Sequence, residues 1–219
     1  KELETGGLKL LYVAPERFRQ KEFLQTLSRS SVSFVAIDEA HCISQWGHDF
    51  RPDYLRLGSI LKRIGPYQFL AATATATESV ISDIISYLHL KNCRQFVTGF
   101  YRNNLQLRVR HCASKKGKED LLISTLAEKG LPAIVYCATR KGVDEVVTIL
   151  KDRGYSVSGY HAGMTDETRS RVQERFMTGQ SSIIVATNAF GMGIDKLDIR
   201  QVIHYQFPGS IESYYQEIG

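Results

Sequence analysis

The sequence has no cysteine pair at the spacing of a metal knuckle, no apolar run long enough to cross a bilayer, and no excess of one charge strong enough to name a partner. The four cysteines, Cys42, Cys93, Cys112 and Cys137, contain no C-x-x-C element, and their separations fit no common zinc pattern. They are expected to be reduced structural thiols, with no zinc site in this stretch of chain. No uncharged segment approaches the roughly 18 residues that a membrane helix needs, and no leader opens the sequence. The expectation is a soluble intracellular protein with no membrane partner, in cytoplasm, nucleoid or nucleus. Lys and Arg number 28 against 23 Asp and Glu, a net charge of +5, compatible with a polyanion without identifying one. Low-complexity tracts are also missing, which excludes bulk disorder.

One further absence concerns chemistry. The phosphate-cradling pattern G-x-x-x-x-G-K-[ST] occurs nowhere. The segment Gly191-Met192-Gly193-Ile194-Asp195-Lys196 is glycine-rich but has neither that spacing nor the third glycine of a dinucleotide fingerprint.

What is present is an alternation of short apolar strands with amphipathic helices. Leu8 to Ala14, Ser33 to Ile37 and Tyr67 to Ala72 read as strands. A helix follows Thr77, an N-cap, with Val80, Ile81, Ile84, Ile85 and Leu88 at helical spacing. The stretch from Thr98 to Asn104 breaks the rhythm and reads as a connector. Beyond it, Ala133 to Cys137, Ser156 to Tyr160, Ser182 to Ala186 and Gln201 to Tyr205 read as strands. The Val143, Val146, Val147 and Leu150 stripe, Asp166 to Met177, and the segment from about Ser210 read as helices. Strands written as continuous apolar runs between helices predict an α/β fold with parallel sheets covered on both faces, in two units joined near residue 100. The first unit, about 98 residues with three or four clear strands, looks incomplete.

The most informative stretch is Phe34-Val35-Ala36-Ile37 followed by Asp38-Glu39-Ala40-His41. Parallel α/β sheets bind ligands at the carboxyl ends of their strands, which is where this acidic pair stands. Asp38 is suited to hold Mg²⁺, mostly through water, because magnesium takes oxygen ligands and keeps its own waters. Glu39 is suited to orient or deprotonate a water attacking a γ-phosphate. His41 could link that site to whatever binds beyond it. The plain alternative is an acidic pair at a strand end on the protein surface. A metal carboxylate without a phosphate cradle is odd chemistry, so a truncated sequence is inferred.

At Asp38-Glu39-Ala40-His41, a DEAH box, the chain resembles a superfamily 2 helicase. The segment Cys42-Ile43-Ser44-Gln45-Trp46-Gly47-His48-Asp49-Phe50-Arg51-Pro52 resembles the aromatic-rich loop of the RecQ family, and its length and composition make that likeness specific. Around it, Tyr12-Val13-Ala14-Pro15-Glu16-Arg17 is similar to an upstream helicase motif and Thr73-Ala74-Thr75-Ala76 to motif III. In the second unit, Val135-Tyr136-Cys137-Ala138-Thr139-Arg140 resembles motif IV, and Tyr160-His161-Ala162-Gly163 a DNA-contacting segment. Ala186-Thr187-Asn188-Ala189-Phe190-Gly191-Met192-Gly193-Ile194-Asp195-Lys196 resembles motif V.

The resemblance implies two RecA-like parallel-sheet domains. Residues 1–98 would be the C-terminal part of the first, without its P-loop half. Residues 99–219 would be the second, stopping within motif VI at Gln216-Glu217-Ile218-Gly219, before the arginine finger. It implies ATP-driven 3′-to-5′ translocation on single-stranded DNA and unwinding of partly duplex DNA, with ATP and Mg²⁺ as cofactors, in DNA repair and recombination. By the same resemblance Asp38, Glu39 and His41 serve catalysis, and Gly193 and Asp195 approach the nucleotide. Trp46, His48, Phe50 and Arg51 would contact DNA or couple it to hydrolysis, and Arg140, His161 and Thr187 would contact the DNA backbone. Bland alternatives stand beside these: core packing for Trp46 and Phe50, and helix capping for Thr139. Lys115, Lys116 and Lys118 read as a solvated helix start, and Tyr214 and Tyr215 as packing residues. The isolated chain is expected to be inactive. A non-enzymatic DNA-binding or scaffold protein derived from a helicase is the alternative.

Overall fold

The computed structural model describes residues 6–46, 50–65, 68–99, 101–191 and 194–219. The chain divides into two compact units, Lys1–Phe100 and Tyr101–Gly219.

In the first unit, a 3₁₀ turn at Pro15–Arg19 leads into helix α1 (Lys21–Ser28), then strand β1 (Phe34–Ile37) and a second 3₁₀ turn at Ala40–Ile43. Helix α2 (Pro52–Ile64), strand β2 (Gln68–Ala71) and helix α3 (Glu78–Tyr87) complete it. β1 and β2 pair in parallel, with Phe34 opposite Gln68 and Ile37 opposite Ala71. Ile37, Leu57, Leu61, Val80, Ile84 and Leu88 pack together on one side of this sheet, with Val35, Phe69 and Ala71 against them. Side chains alternate along a strand, so Phe34 and Leu70 lie on the other side, where they are about half exposed. Among the described residues the first unit's sheet is therefore covered on one face only, not on both. The Leu8–Ala14 run, apolar enough to read as a strand, is not one here. Leu8, Leu10, Leu11 and Tyr12 are exposed, and the run joins no ladder.

The second unit alternates as its pattern predicts. Helix α4 (Lys115–Lys129), strand β3 (Ala133–Tyr136), helix α5 (Arg140–Asp152), strand β4 (Val157–Tyr160), helix α6 (Asp166–Met177), strand β5 (Ile183–Ala186), strand β6 (Gln201–His204) and helix α7 (Ile211–Ile218) follow in order. The four strands form one parallel sheet in the order β4-β5-β3-β6. Every residue of β3 and β5 is buried, because helices cover both faces of these central strands. Leu122, Leu126, Val143, Val146 and Leu150 fill one layer, and Phe176, Tyr160 and Phe190 the other. Local chemistry sets the helix starts. Thr77, Thr139, Thr165 and Ser210 each accept a backbone N–H of the first turn of their helices. Gly154 takes φ 80° just after α5, a conformation a side chain would strain. Among the described residues no helix is long and apolar enough to cross a membrane.

Candidate catalytic and nucleic-acid sites

The acidic pair stands at the carboxyl end of β1. The Glu39 backbone is left-handed, φ 49° and ψ 44°, and this turn swings the chain from the strand into the Ala40–Ile43 3₁₀ turn. Asp38 is exposed, and its Oδ1 accepts the Glu39 N–H at 2.9 Å. Tyr54, from α2, donates its hydroxyl to the Asp38 carbonyl at 3.3 Å. The reversal is pinned to the neighbouring strand: the Ala72 N–H donates to the Ile37 carbonyl and the Ala40 N–H to the Ala72 carbonyl, both at 2.9 Å.

His41 is almost wholly buried, and its Nδ1 lies 2.8 Å from Thr73 Oγ1 and 3.3 Å from Glu39 Oε2. Thr73 Oγ1 also lies 3.1 Å from the Thr75 carbonyl and accepts the Thr75 N–H at 3.2 Å. His41 Nε2 lies 3.7 Å from Cys42 Sγ. One imidazole thus joins Glu39, at the end of β1, to the segment leaving β2. Nothing in the sequence marked Thr73 as its partner.

The aromatic-rich segment departs directly from this turn. Ser44, fully buried, donates to Asp83 of α3 at 2.6 Å and accepts the Trp46 N–H at 3.1 Å. Trp46 itself is 79% exposed, which removes the core-packing reading for that side chain. Phe50 is half-buried. His48 lies outside the described residues. Arg51 donates its backbone N–H to the Cys42 carbonyl at 2.9 Å, closing the loop on the 3₁₀ turn. Its guanidinium pairs with Glu16 and lies 5.5 Å from the centre of the Tyr54 ring. The Glu16 carboxyl is held below its ordinary range by a backbone hydrogen bond in its own turn and then by Arg51. Arg19 grips Asp53 with two bonds of 2.6 and 2.7 Å. The Pro15–Arg19 turn therefore holds both residues that flank Pro52, an arrangement that sequence spacing did not reveal.

In the second unit Arg140, His161 and Thr187 all follow strands, on the carboxyl edge of the sheet. Arg140 opens α5 and is exposed, while Thr139 caps the helix by accepting the Gly142 N–H at 3.0 Å. The Arg140 guanidinium lies against Gly163, where a Cβ would come within 2.8 Å of Nη1. His161 Nδ1 accepts the Gly163 N–H at 3.2 Å, and Nε2 lies 3.7 Å from Asp144. Arg140 and the His161–Gly163 loop thus form one cluster. Thr187 is half-buried; its carbonyl accepts the Phe190 N–H at 3.1 Å. Gly193 lies outside the described residues, and Asp195 is exposed. The following Lys196 is turned inward. Its ammonium meets Asp198 at 2.9 Å and the Met177 carbonyl at 3.4 Å, tying this loop to the end of α6. Tyr136 anchors the same loop from below by donating to the Phe190 carbonyl at 2.9 Å, and burial pushes its phenol well up. Tyr214 packs on His204, whose Nε2 meets Glu217 at 2.8 Å.

Asp38 fits a hard cation by donor type, since it is an exposed carboxylate with Oδ2 uncommitted to any described protein donor. Among the described residues no group of three or more His, Cys, Asp or Glu side chains gathers as a complete metal cage.

Known proteins resemble this chain along most of its length. The DEAD/DEAH box helicase family matches residues 1–84, and the helicase conserved C-terminal domain matches residues 117–219. The chain is 45% identical over 217 residues to the ATP-dependent DNA helicase RecQ of Haemophilus influenzae, covering 99% of this chain and 35% of that protein. It is 43% identical over 218 residues to RecQ of Bacillus subtilis, with 99% and 36% covered. It is 40% identical over 232 residues to the RecQ-like DNA helicase blm-1 of Caenorhabditis elegans, covering all of this chain and 23% of that protein. The chain thus spans about a third of the length of its bacterial RecQ relatives. Among solved structures, S. cerevisiae Dbp5 bound to RNA and ADP BeF3 superposes with a TM-score of 0.66 at 21% identity, over 90% of this chain and 52% of that one. At that identity the match speaks for the fold. The sequence identity along the whole chain and the aromatic-rich segment that closes on the DEAH turn lead to one conclusion: this chain belongs to the RecQ family of helicases.

Proposed function

We infer that this chain is the central motor segment of an ATP-dependent DNA helicase that moves 3′ to 5′ along single-stranded DNA and opens partly duplex DNA. The observation that carries the reading is the path from Glu39 through His41 to Thr73, with the aromatic-rich loop departing from the same turn. A group that acts on water and a loop that meets DNA share one short piece of backbone. Displacement of the loop is felt at the carboxylate.

In this reading Asp38 holds Mg²⁺, which neutralises phosphate charge when bound with ATP. Glu39 accepts a proton from the attacking water, and His41 fixes the orientation of Glu39. Asp195 and Gly193 serve the nucleotide from the second unit. Trp46 offers a face for base stacking, Phe50 and His48 contact DNA or couple it to hydrolysis, and Arg51 leaves Glu16 for a phosphate. Arg140, His161 and Thr187 contact the backbone of the strand, with positioning rather than base reading as their task. Beside the His161 loop, Arg140 carries the exposed charge, and His161 holds the shape of the loop. Residues 1–98 are part of the first RecA-like domain and residues 99–219 part of the second. The half-exposed Phe34 and Leu70 favour further chain covering the open face of the first unit's sheet. An intracellular site of action, in DNA repair and recombination, follows from the same reading.

The test uses the full-length protein. Glu39→Gln keeps nucleotide affinity while DNA-stimulated hydrolysis falls by about 10² to 10⁴, the range for loss of a general base. Hydrolysis by Glu39→Gln at the parent rate removes Glu39 from the catalytic role. A full-length parent that binds DNA but neither hydrolyses ATP nor unwinds supports a scaffold instead.

A further inference from the structure

Beyond Arg140 the carboxyl edge of the second unit's sheet continues into an open cavity that the reading above does not use. Its volume is about 530 Å³, and Cys112, Ser114, Lys115, Lys118, Tyr205 and Gln206 are among its lining residues. Three of its features select an anion.

Lys118 is the first. Its ammonium lies 4.1 Å from the centre of the Tyr205 ring, and no carboxylate among the described residues comes within ion-pair distance of it. The aromatic face holds the long side chain in place without neutralising it. Burial is the main cause that raises the Tyr205 phenol, so the ring stays neutral beneath the cation. Gln206 is the second. Its Oε1 accepts the Ala138 N–H at 2.7 Å, which fixes the amide and leaves its NH₂ group as donors with no protein acceptor among the described residues. The third is Ser114, whose Oγ accepts the Gly117 N–H at 3.0 Å and so keeps its own proton to give. The remaining charge in the cavity is balanced: Lys115 meets Glu145 at 3.2 Å.

Position decides which anion. Gln206 follows β6, and its Oε1 lies 3.2 Å from where a Cβ on Gly142 would stand, in the first turn of α5 that Arg140 opens. Arg140 in turn lies on Gly163, in the loop after β4. The sheet order β4-β5-β3-β6 therefore sets His161, Arg140, Gln206 and Lys118 along one edge. From β4 to β6 this edge spans three strand spacings, about 14 Å at ~4.8 Å each. A lone phosphate fills one point of such a row, whereas a single strand lays several phosphates along it.

We propose that the cavity between Lys118, Tyr205 and Gln206 binds a backbone phosphate of the single strand, extending the path that passes Arg140 and His161. The stacked lysine makes this a charge contact without base preference, since its ring face is already taken by the ammonium. The proposal rests on the reading of that edge as the strand's track, and its test separates the two.

Binding of a labelled oligothymidylate to the 219-residue chain is followed by anisotropy over a range of salt. For single strands each phosphate contact contributes about 0.7 to the slope of log affinity on log salt. Lys118→Met lowers the slope by about 0.7, Lys118→Arg retains it, and Lys151→Met, at the far end of α5, leaves it unchanged. Glu145→Gln tightens binding, because it releases Lys115. Helical content by circular dichroism confirms that the variants fold. A parental slope in Lys118→Met overturns the proposal. If Arg140→Met lowers the slope and Lys118→Met does not, the cavity is excluded while the edge survives. If neither variant changes it, or the chain does not bind at low salt, both fail. If only Lys118→Met changes it, the cavity stands and the role of Arg140 is lost.

Discussion

His41 Nδ1 and Thr73 Oγ1 lie 2.8 Å apart, although thirty-two residues of chain separate them. The bond crosses from the turn after β1 to the segment leaving β2 and is shielded from water, since His41 is 2% exposed. Thr73→Val keeps the shape and removes the hydroxyl that bonds His41. It is expected to lower unfolding free energy by about 1–3 kcal/mol, the cost of leaving a buried polar group less well satisfied. A double-mutant cycle with His41→Ala isolates the pair, and a coupling energy indistinguishable from zero shows that the two side chains do not act together.

Trp46 is exposed and packs little, so Trp46→Ala should leave thermal stability within about 0.5 kcal/mol of the parent. In the full-length protein it removes at most about 1–3 kcal/mol of stacking, and DNA affinity falls modestly. DNA stimulation of hydrolysis collapses, because the loop no longer reports the strand to the Glu39 turn. Arg51→Ala should act alike by freeing the loop from Glu16 and Tyr54. Paired titrations of binding and of ATPase rate against DNA decide the matter. DNA-independent hydrolysis must persist in both variants, and full stimulation in both removes the loop from coupling.

The 219-residue chain alone should show no ATP turnover. Its sequence carries no phosphate cradle of the G-x-x-x-x-G-K-[ST] kind. Without backbone donors to cradle the phosphates, the transferring group is neither positioned nor stabilised. DNA-stimulated hydrolysis by the purified chain contradicts this.

Thiol chemistry gives an independent check on the fold. Cys93 and Cys112 are exposed, whereas Cys42 and Cys137 are buried. Burial pushes the Cys137 thiol up to about 12, with Lys118 acting weakly in the opposite sense. The reactive form is the thiolate, so Cys137 is essentially all thiol at pH 7 and its reactivity should rise only in strong alkali. Brief alkylation of the native chain should add two labels by intact mass, and alkylation in denaturant four. A third rapid label on Cys137 contradicts the burial of β3's end.

Much of the second unit was legible residue by residue. The apolar runs at Ala133 and Ser182 became the fully buried β3 and β5, and the stripe from Val143 to Leu150 became the inner face of α5. Such patterns are legible because burial against a sheet repeats at the period of the element itself. Thr77 and Thr139 were readable as caps for a related reason: a cap satisfies donors only three residues away. Lys118 stands in the first turn of α4, as its sequence setting predicts, but its ring contact was not legible there: only the return of β6 eighty-odd residues later places Tyr205 beneath it.

Sequence alone determined the α/β alternation, the family, and the standing of Asp38 and Glu39 at a strand end, since all of these depend on residue type and short-range spacing. Tertiary structure decided the rest. The Leu8–Ala14 run has the composition of a strand yet forms none, because a strand exists only where a neighbour accepts its hydrogen bonds. The helices α1 and α2 escaped notice, and so did the grip of Glu16 and Arg19 on the residues that flank Pro52. The hydrogen bond of His41 depends on Thr73, which the parallel register of β1 and β2 brings alongside. Register and long-range pairing are set by how whole elements pack, and no local period in the chain encodes them.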